Sequence, residues 1–431
     1  MDVRRSLHQG FRKAFSFLPR DVRFAVYRSF VECNANPDKR LVLKIAETKD
    51  ELEACFKLLH DAYVSSGFML PDPSGMRATI YHALPTTTTL CAKFDGEVVG
   101  TISLIRESLF GFPLQAIFDL SEVRRHKGNI AEVSALAVHP KFRKTGGTIL
   151  FPLMKFMYNY CSTFFDTRHL VIAVNPNRIE MYESLLFFQR LNENFVANYD
   201  FANGAPAVGA ALDLYHAPSV FKRVYGQKKP EKNLHQYFVQ TVLPNVVQPS
   251  RRYFTTNDPV MTPELLDYFF NQRTRVFANL EERKKGLLHD IYNLPAYQNV
   301  LPGMRVGKPN EYQHREHERY SVKCPGTFEV ISTEHQEPFK VMIIELSAFS
   351  FQAICRTNLP LNIWGEANIQ LGQNEKSHVK VMVINDRETQ FGKSFTFKVS
   401  EPDLAWRKFF NALNAGITHD DLENATRFLP Q

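Results

Sequence analysis

The residues with the clearest chemical promise lie in one stretch, IAEVSALAVHPKFRKTGGT (Ile130 to Thr148), where an apolar strand runs into a glycine-containing loop that opens a helix. Backbone N–H groups of Gly146, Gly147 and Thr148 at such a helix start, with Arg143 beside them, suit a phosphate, because unsatisfied donors and aligned peptide dipoles both favour an anion. Two glycines also serve ordinary capping loops; the preceding strand favours the phosphate. Glu132, at the start of the strand, is a carboxylate able to act as a general base directly or through water. Backbone N–H groups around Leu136, Ala137 and Val138 are candidate donors to a developing oxyanion. Downstream, Tyr182 is a candidate proton donor, and Asn175 either caps the following helix or touches a ligand. Each has a plainer alternative: Glu132 paired with solvent, and Tyr182 packed with its hydroxyl at the surface. Arg77 either grips a carboxylate by a bidentate pair or sits at the surface.

The elements that must position these groups follow from periodicity. A strand (Val42 to Ala46) precedes a helix through Leu52, Cys55, Leu58, Leu59 and Tyr63. Two strands, Thr89 to Phe94 and Val98 to Ile105, flank the hairpin turn Asp95-Gly96. After an excursion through Phe112 and Phe118 come the strand Ile130 to Val138, a helix (Ile149 to Cys161), a strand (Leu170 to Val174) and a helix near Ile179 to Leu186. This order predicts an α+β or α/β mixed sheet with flanking crossover helices. Residues 216–305 read as helix and linker; Pro263 to Tyr292 carries a broad apolar face that either bridges domains or pairs with another subunit as a homodimer. Beyond Gly303 the period shortens to that of strands (Val341 to Glu345, Val379 to Ile384, Ser394 to Val399), which predicts a small barrel plugged by a final helix, Asp403 to Leu413. The expected domains are 1–40, 41–215, 216–305 and 306–420.

At 431 residues the chain suits two or three domains. Its formal charge of +7 is spread along the chain, with no stripe pairing basic residues with exposed aromatics, which argues against nucleic acid. Its six cysteines lie far apart in sequence, giving neither zinc nor redox spacing. No apolar run reaches the roughly 20 residues of a membrane span and no signal peptide is evident, so a reducing, cytoplasmic setting without a metal is expected. Residues 1–18 form a short basic amphipathic helix around Val3, Leu7, Phe11, Phe15 and Leu18. It either docks on its own protein or lies peripherally on the inner membrane.

The stretch from Arg143 through Gly146 resembles the acyl-donor loop of GNAT acyltransferases, except that Thr148 replaces the final small residue. A branched side chain there would crowd the pyrophosphate of coenzyme A, and fits a donor with one phosphate, the phosphopantetheine arm of acyl carrier protein. Three blocks, LPTTTTLCAKFDGEVVGTISLI (from Leu84), FGFPLQAIFDLSEVRRHKGNIAEVSALAV (from Phe110) and NPNRIEMYESLLF (from Asn175), resemble the N-acyl amino acid synthases, relatives of the acyl-homoserine lactone synthases. The resemblance spans roughly residues 45–215. It implies transfer of a long acyl chain from a carrier or coenzyme A thioester to a small amine, with Glu132 as base and Tyr182 as acid. Phe68, Met69, Leu70, Phe110, Phe112 and Phe118 are candidates for an acyl tunnel or for ordinary core.

Residues 310–414 resemble PilZ domains, receptors for cyclic di-GMP. Arg315 and Arg319 match that family's arginine pair, whose guanidinium groups grip phosphates and stack on guanine. The second motif, ELSAFS, carries Glu345 in place of Asp or Asn, keeps Ser347, and carries Ser350 in place of Gly. Together the two resemblances imply an acyltransferase regulated by cyclic di-GMP. The rivals are a non-catalytic regulator that uses the GNAT fold for carrier sensing or protein contacts, and a homoserine lactone synthase, for whose S-adenosylmethionine pocket the sequence gives no sign.

Overall fold

The structure is a computed structural model that describes residues 17–126, 128–143, 145–165, 167–199, 201, 204–248, 253–254, 261–292, 295–304, 320–331, 337–372, 374–389 and 392–414. It divides into two compact units, one of residues 1–79 and 87–247, the other of residues 80–86 and 248–431.

The first unit is built on a mixed sheet flanked by helices. Helix α1 (Arg20–Ser29) precedes strand β1 (Leu41–Ile45) and helix α2 (Lys49–Ser65). Thr48 starts α2 with a capping box: its hydroxyl accepts from Glu51 N, and the Glu51 carboxylate answers Thr48 N. The same carboxylate binds Lys44 and Lys93, tying the helix start to the sheet. Strands β2 (Thr87–Phe94) and β3 (Glu97–Arg106) form the hairpin read from Asp95-Gly96. Both turn residues have positive φ, +51° and +86°, as a type I′ turn requires.

Strand β4 (Asn129–Val138), helix α3 (Leu150–Phe164), strand β5 (Thr167–Val174) and helix α4 (Pro176–Leu186) follow. Strands β6 (Gln189–Arg190), β7 (Val196–Tyr199) and β8 (Ala205–Asp213) and helix α5 (Ala217–Tyr225) complete the unit. The sheet order is β1-β2-β3-β4-β5-β8-β6, with β7 beside β8, and of these pairings only β4 with β5 is parallel. Periodicity located β1 to β5 but not β6 to β8, where short strands and glycines leave little alternation. Part of the predicted helical stretch joins this core: Phe221 and Tyr225 of α5 are buried with Leu234, Tyr237 and Phe238, the last two in a π-helical turn, Gln236–Gln240.

Residues 1–16 of the expected amphipathic helix lie outside the described residues. Just beyond them α1 docks on α4, where Arg20 pairs with Glu183, Arg23 with Glu180, and Arg28 donates to the Ser184 carbonyl. Among the described residues no helix is long and apolar enough to cross a membrane.

In the second unit, the segment expected as one helix from Pro263 to Tyr292 is interrupted. A helical turn (Pro263–Leu266) runs into a π-helical turn (Asp267–Arg273), and helix α6 (Glu282–Ile291) follows. Its apolar face is real: Leu266, Phe269, Phe270, Phe277 and Leu288 are fully buried. The predicted small barrel is a closed six-stranded antiparallel one. Its strands are β9 (Tyr320–Val330), β10 (Phe339–Leu346), β11 (Ser350–Cys355), β12 (Trp364–Gln370), β13 (Lys376–Thr389) and β14 (Gly392–Val399). Helix α7 (Leu404–Asn414) sets Trp406 and Phe409 into the barrel core beside Phe351 and Tyr253. Asp403 fixes its start, accepting from Trp406 N, Ser377 Oγ and His378 N.

Candidate active site

Strands β4 and β5 part company beside the residue singled out for base chemistry. Their parallel pairing runs from Asn129 with Thr167 to Glu132 with Val171 and stops there. A cavity of about 550 Å³ opens where they separate, lined by Val133 to Leu136 on one strand and Ile172 to Val174 on the other. That volume falls in the range of about 300–1,000 Å³ typical of small-molecule sites. Ala135 holds a φ of +52°, a region a residue with a Cβ seldom visits, where the register against β3 also shifts. The bulge lets Ser134, Ala135 and Leu136 all line the cavity, which strict strand alternation would forbid.

Glu132 lies on the cavity wall and is 2% exposed. Its Oε2 accepts a hydrogen bond of 3.0 Å from the backbone N–H of Leu114, and burial pushes its carboxyl up to about 8. Tyr182 reaches the same cavity from α4, its ring edge-on to Phe188. Burial raises its hydroxyl pKa, and the nearby charge of Arg178 opposes that rise. Asn175 also lines the cavity, and its side chain accepts from Asn177 N at 3.0 Å, so it caps α4. Arg77 does not line the cavity: its guanidinium lies over Tyr63 and Phe201 and donates to the Phe201 carbonyl.

The glycine loop stands apart. Of the residues expected to hold the acyl donor, Leu136 and Asn175 line the cavity, whereas Ala137, Val138, Arg143, Gly146, Gly147 and Thr148 do not. Arg143 Nε donates to the Val138 carbonyl at 2.7 Å, and Thr148 shares a hydroxyl hydrogen bond with Thr145. Gly146 and Gly147 take φ of +69° and +84°, so both glycines are required by backbone geometry. The Glu32 carboxylate stands against Gly146, 3.1 Å from where a Cβ would be.

Much of the wall is apolar and comes from elements the sequence did not connect with the site. Met154, Met157 and Tyr158 of α3 face Leu170 and Ile172 of β5, and Phe221 and Phe238 close the wall from α5 and the π-helical turn. Of the tunnel candidates, Phe68 lines the cavity; Phe112 and Phe118 are buried core, and Leu70 is exposed. Arg178 was also missed, though its place four residues before Tyr182 puts both on one helix face.

Residues 54–213 match the family model of the N-acyl amino acid synthase FeeM. They form an acyltransferase module. The solved structure of FeeM, an N-acyl amino acid synthase from uncultured soil microbes, is 24% identical, with TM-score 0.36, covering 42% of this chain and 94% of its own. The coenzyme A-dependent acyl-homoserine lactone synthase BjaI, solved with SAM and isopentyl-CoA, is 18% identical, with TM-score 0.33, covering 44% of this chain and 91% of its own. The homoserine lactone synthase LasI is 17% identical, with TM-score 0.32 and coverages of 40% and 90%. No curated protein matches the chain.

In the barrel, Arg315 and Arg319 lie outside the described residues. Glu345 lies one residue before the end of β10, next to a register shift, and Ser347 is buried with its hydroxyl 2.8 Å from that of Ser350. Ser350 begins β11 opposite Lys398 and is not among the residues with positive φ, so its Cβ meets no backbone penalty. Among the described residues no group of three or more His, Cys, Asp or Glu could hold a metal. All six cysteines are buried and free, and the fold brings Cys55 and Cys91 into hydrogen-bond contact.

Proposed function

We propose that the first unit transfers a long acyl chain from a carrier thioester, on acyl carrier protein or coenzyme A, to the amine of an amino acid or similar small molecule. One observation carries the reading: a buried carboxyl raised to about 8 and a tyrosine share one largely apolar cavity at the point where two parallel strands separate.

Ionised Glu132 takes a proton from the acceptor's ammonium group, and the freed amine attacks the thioester carbonyl. A C–N bond forms, the attacking nitrogen releases its second proton to solvent, the C–S bond breaks, and the leaving thiolate takes the proton of Tyr182. Tyr182 regains a proton from Glu132 or solvent. Burial serves both residues: it leaves Glu132 basic enough to deprotonate an amine and keeps Tyr182 protonated at neutral pH. Backbone N–H groups near Leu136 support the oxyanion. The acyl chain occupies the apolar wall of α3, β5 and α5.

The purified chain, given dodecanoyl-acyl carrier protein or dodecanoyl-coenzyme A with mixed amino acids, will release free thiol and yield acylated amines by mass spectrometry. Intact thioester from both donors sinks the reading.

The barrel supports a second layer of the same proposal. With Arg315 and Arg319 preceding it and Glu345, Ser347 and Ser350 together at one hairpin, it is a PilZ-type receptor whose cyclic di-GMP occupancy regulates transfer. Calorimetry will detect cyclic di-GMP binding to wild type and its loss in Arg315→Ala; no heat with wild type retires the regulatory claim.

A further inference from the structure

The described wall of the cavity carries formal charge at two residues, Glu132 and Arg178. Glu132 is turned inward and held by Leu114, whereas Arg178 is exposed, at the cavity's edge on the first turn of α4. The neighbouring acids are committed elsewhere. Glu180 is taken by Arg23, and Glu183 by Arg20 and Arg190, so both pair away from Arg178. Among the described residues no carboxylate pairs with the Arg178 guanidinium. It also occupies a costly place, since a cation on the first turn of a helix opposes the peptide dipoles and no acid offsets it there. What the position provides is a planar donor fork beside Tyr182, close enough for its charge to act on that hydroxyl.

We infer that Arg178 is the oxyanion-binding residue of this cavity, taking either the carboxylate of the acceptor or the phosphate of the donor arm. The inference rests on the acyl-transfer reading for its choice of ligands, but not for its test. An oxyanion held at Arg178 anchors one substrate at the rim while its reacting end extends inward toward Tyr182 and Glu132. Such a contact is specific for the charged group, because a bidentate guanidinium pair is lost when the oxyanion becomes a neutral amide or hydroxyl.

The test is binding by the full chain, without turnover. Calorimetry compares N-dodecanoylglycine with N-dodecanoylglycinamide, and 4′-phosphopantetheine with pantetheine, on wild type, Arg178→Gln and Arg178→Lys. Wild type will bind the charged member of one pair about 10- to 100-fold tighter than its neutral partner. That gap will collapse in Arg178→Gln while neutral affinities hold, and will return in part in Arg178→Lys. The pair that responds identifies the source: the first an acceptor carboxylate, the second a donor phosphate. Equal binding within both pairs, a gap that survives Arg178→Gln, or no binding of any probe overturns the inference. Discrimination at Arg178 in a protein that transfers no acyl group would sink the proposed reaction and leave the oxyanion site standing.

Discussion

The backbone N–H of Leu114 is 3.0 Å from the carboxylate of Glu132, and that single hydrogen bond is what opposes the cost of burying the charge. Among the described residues no cation offsets the burial, and the carboxyl is held up to about 8. A base of that strength is ionised only as the medium turns alkaline. kcat/KM for acyl transfer, measured at subsaturating acceptor from pH 6 to 10, is therefore expected to rise through about 8 and then level. Glu132→Gln should lower the plateau by about 100-fold or more. A flat profile, or undiminished turnover in Glu132→Gln, removes Glu132 from the chemistry.

The same residue couples pH to stability. A carboxyl whose folded value is raised favours the folded state fully below its ordinary range near 4.5, and that contribution is lost as pH rises through about 8. Wild type should therefore lose melting temperature between pH 5 and 9. Glu132→Gln, neutral throughout and still able to accept from Leu114, should lose less and melt higher than wild type at pH 9. Parallel thermal melts of the two proteins decide it.

Much of this arrangement was legible before any coordinates. The Asp95-Gly96 turn, the strand carrying Glu132 and the capping Asn175 announce themselves through local rules: turn chemistry, an apolar run, and a side chain facing the next helix's amides. The parting of β4 and β5 leaves no such mark, because strand separation is a property of two segments some 40 residues apart and the bulge at Ala135 uses no glycine. Phe221 and Phe238 stayed hidden for a related reason. Their segment is short and interrupted, Gly226 and Pro230 break its period, and its apolar residues find their partners on distant α3 and β5. The burial that raises the Glu132 carboxyl is likewise non-local, and so is the hydrogen bond that opposes the rise, donated by Leu114 eighteen residues earlier.

Because α5 and the π-helical turn supply the wall around Phe221 and Phe238, acyl length should respond to their volume. Ala217→Phe adds a ring on the cavity-lining face of α5 and should shift preference toward shorter thioesters, each excluded methylene costing about 10-fold or more in kcat/KM. Phe221→Leu should extend the range tolerated. Competition among thioesters of graded length in one reaction reads both shifts; an unchanged distribution in both variants would show that the chain lies elsewhere.

The helix bearing Tyr182 and Arg178 is fastened from behind. Glu183, with a side chain 4% exposed, binds Arg20 of α1 at 2.9 Å and Arg190 at 3.0 Å, on the same helix as the two cavity residues. Glu183→Gln keeps the volume and removes the charge, weakening three charge-assisted hydrogen bonds, one from Arg20 and two from Arg190, at a cost of about 1.5–3 kcal/mol each at most, less in practice because both arginines reach solvent. Urea unfolding should show the loss as a lower midpoint with an unchanged slope. If α1 only covers surface, transfer in the folded variant will match wild type. If it holds α4 in register with β4, kcat will fall while acceptor KM stays within about twofold, since Tyr182 would be displaced from the leaving sulfur without loss of the binding groups.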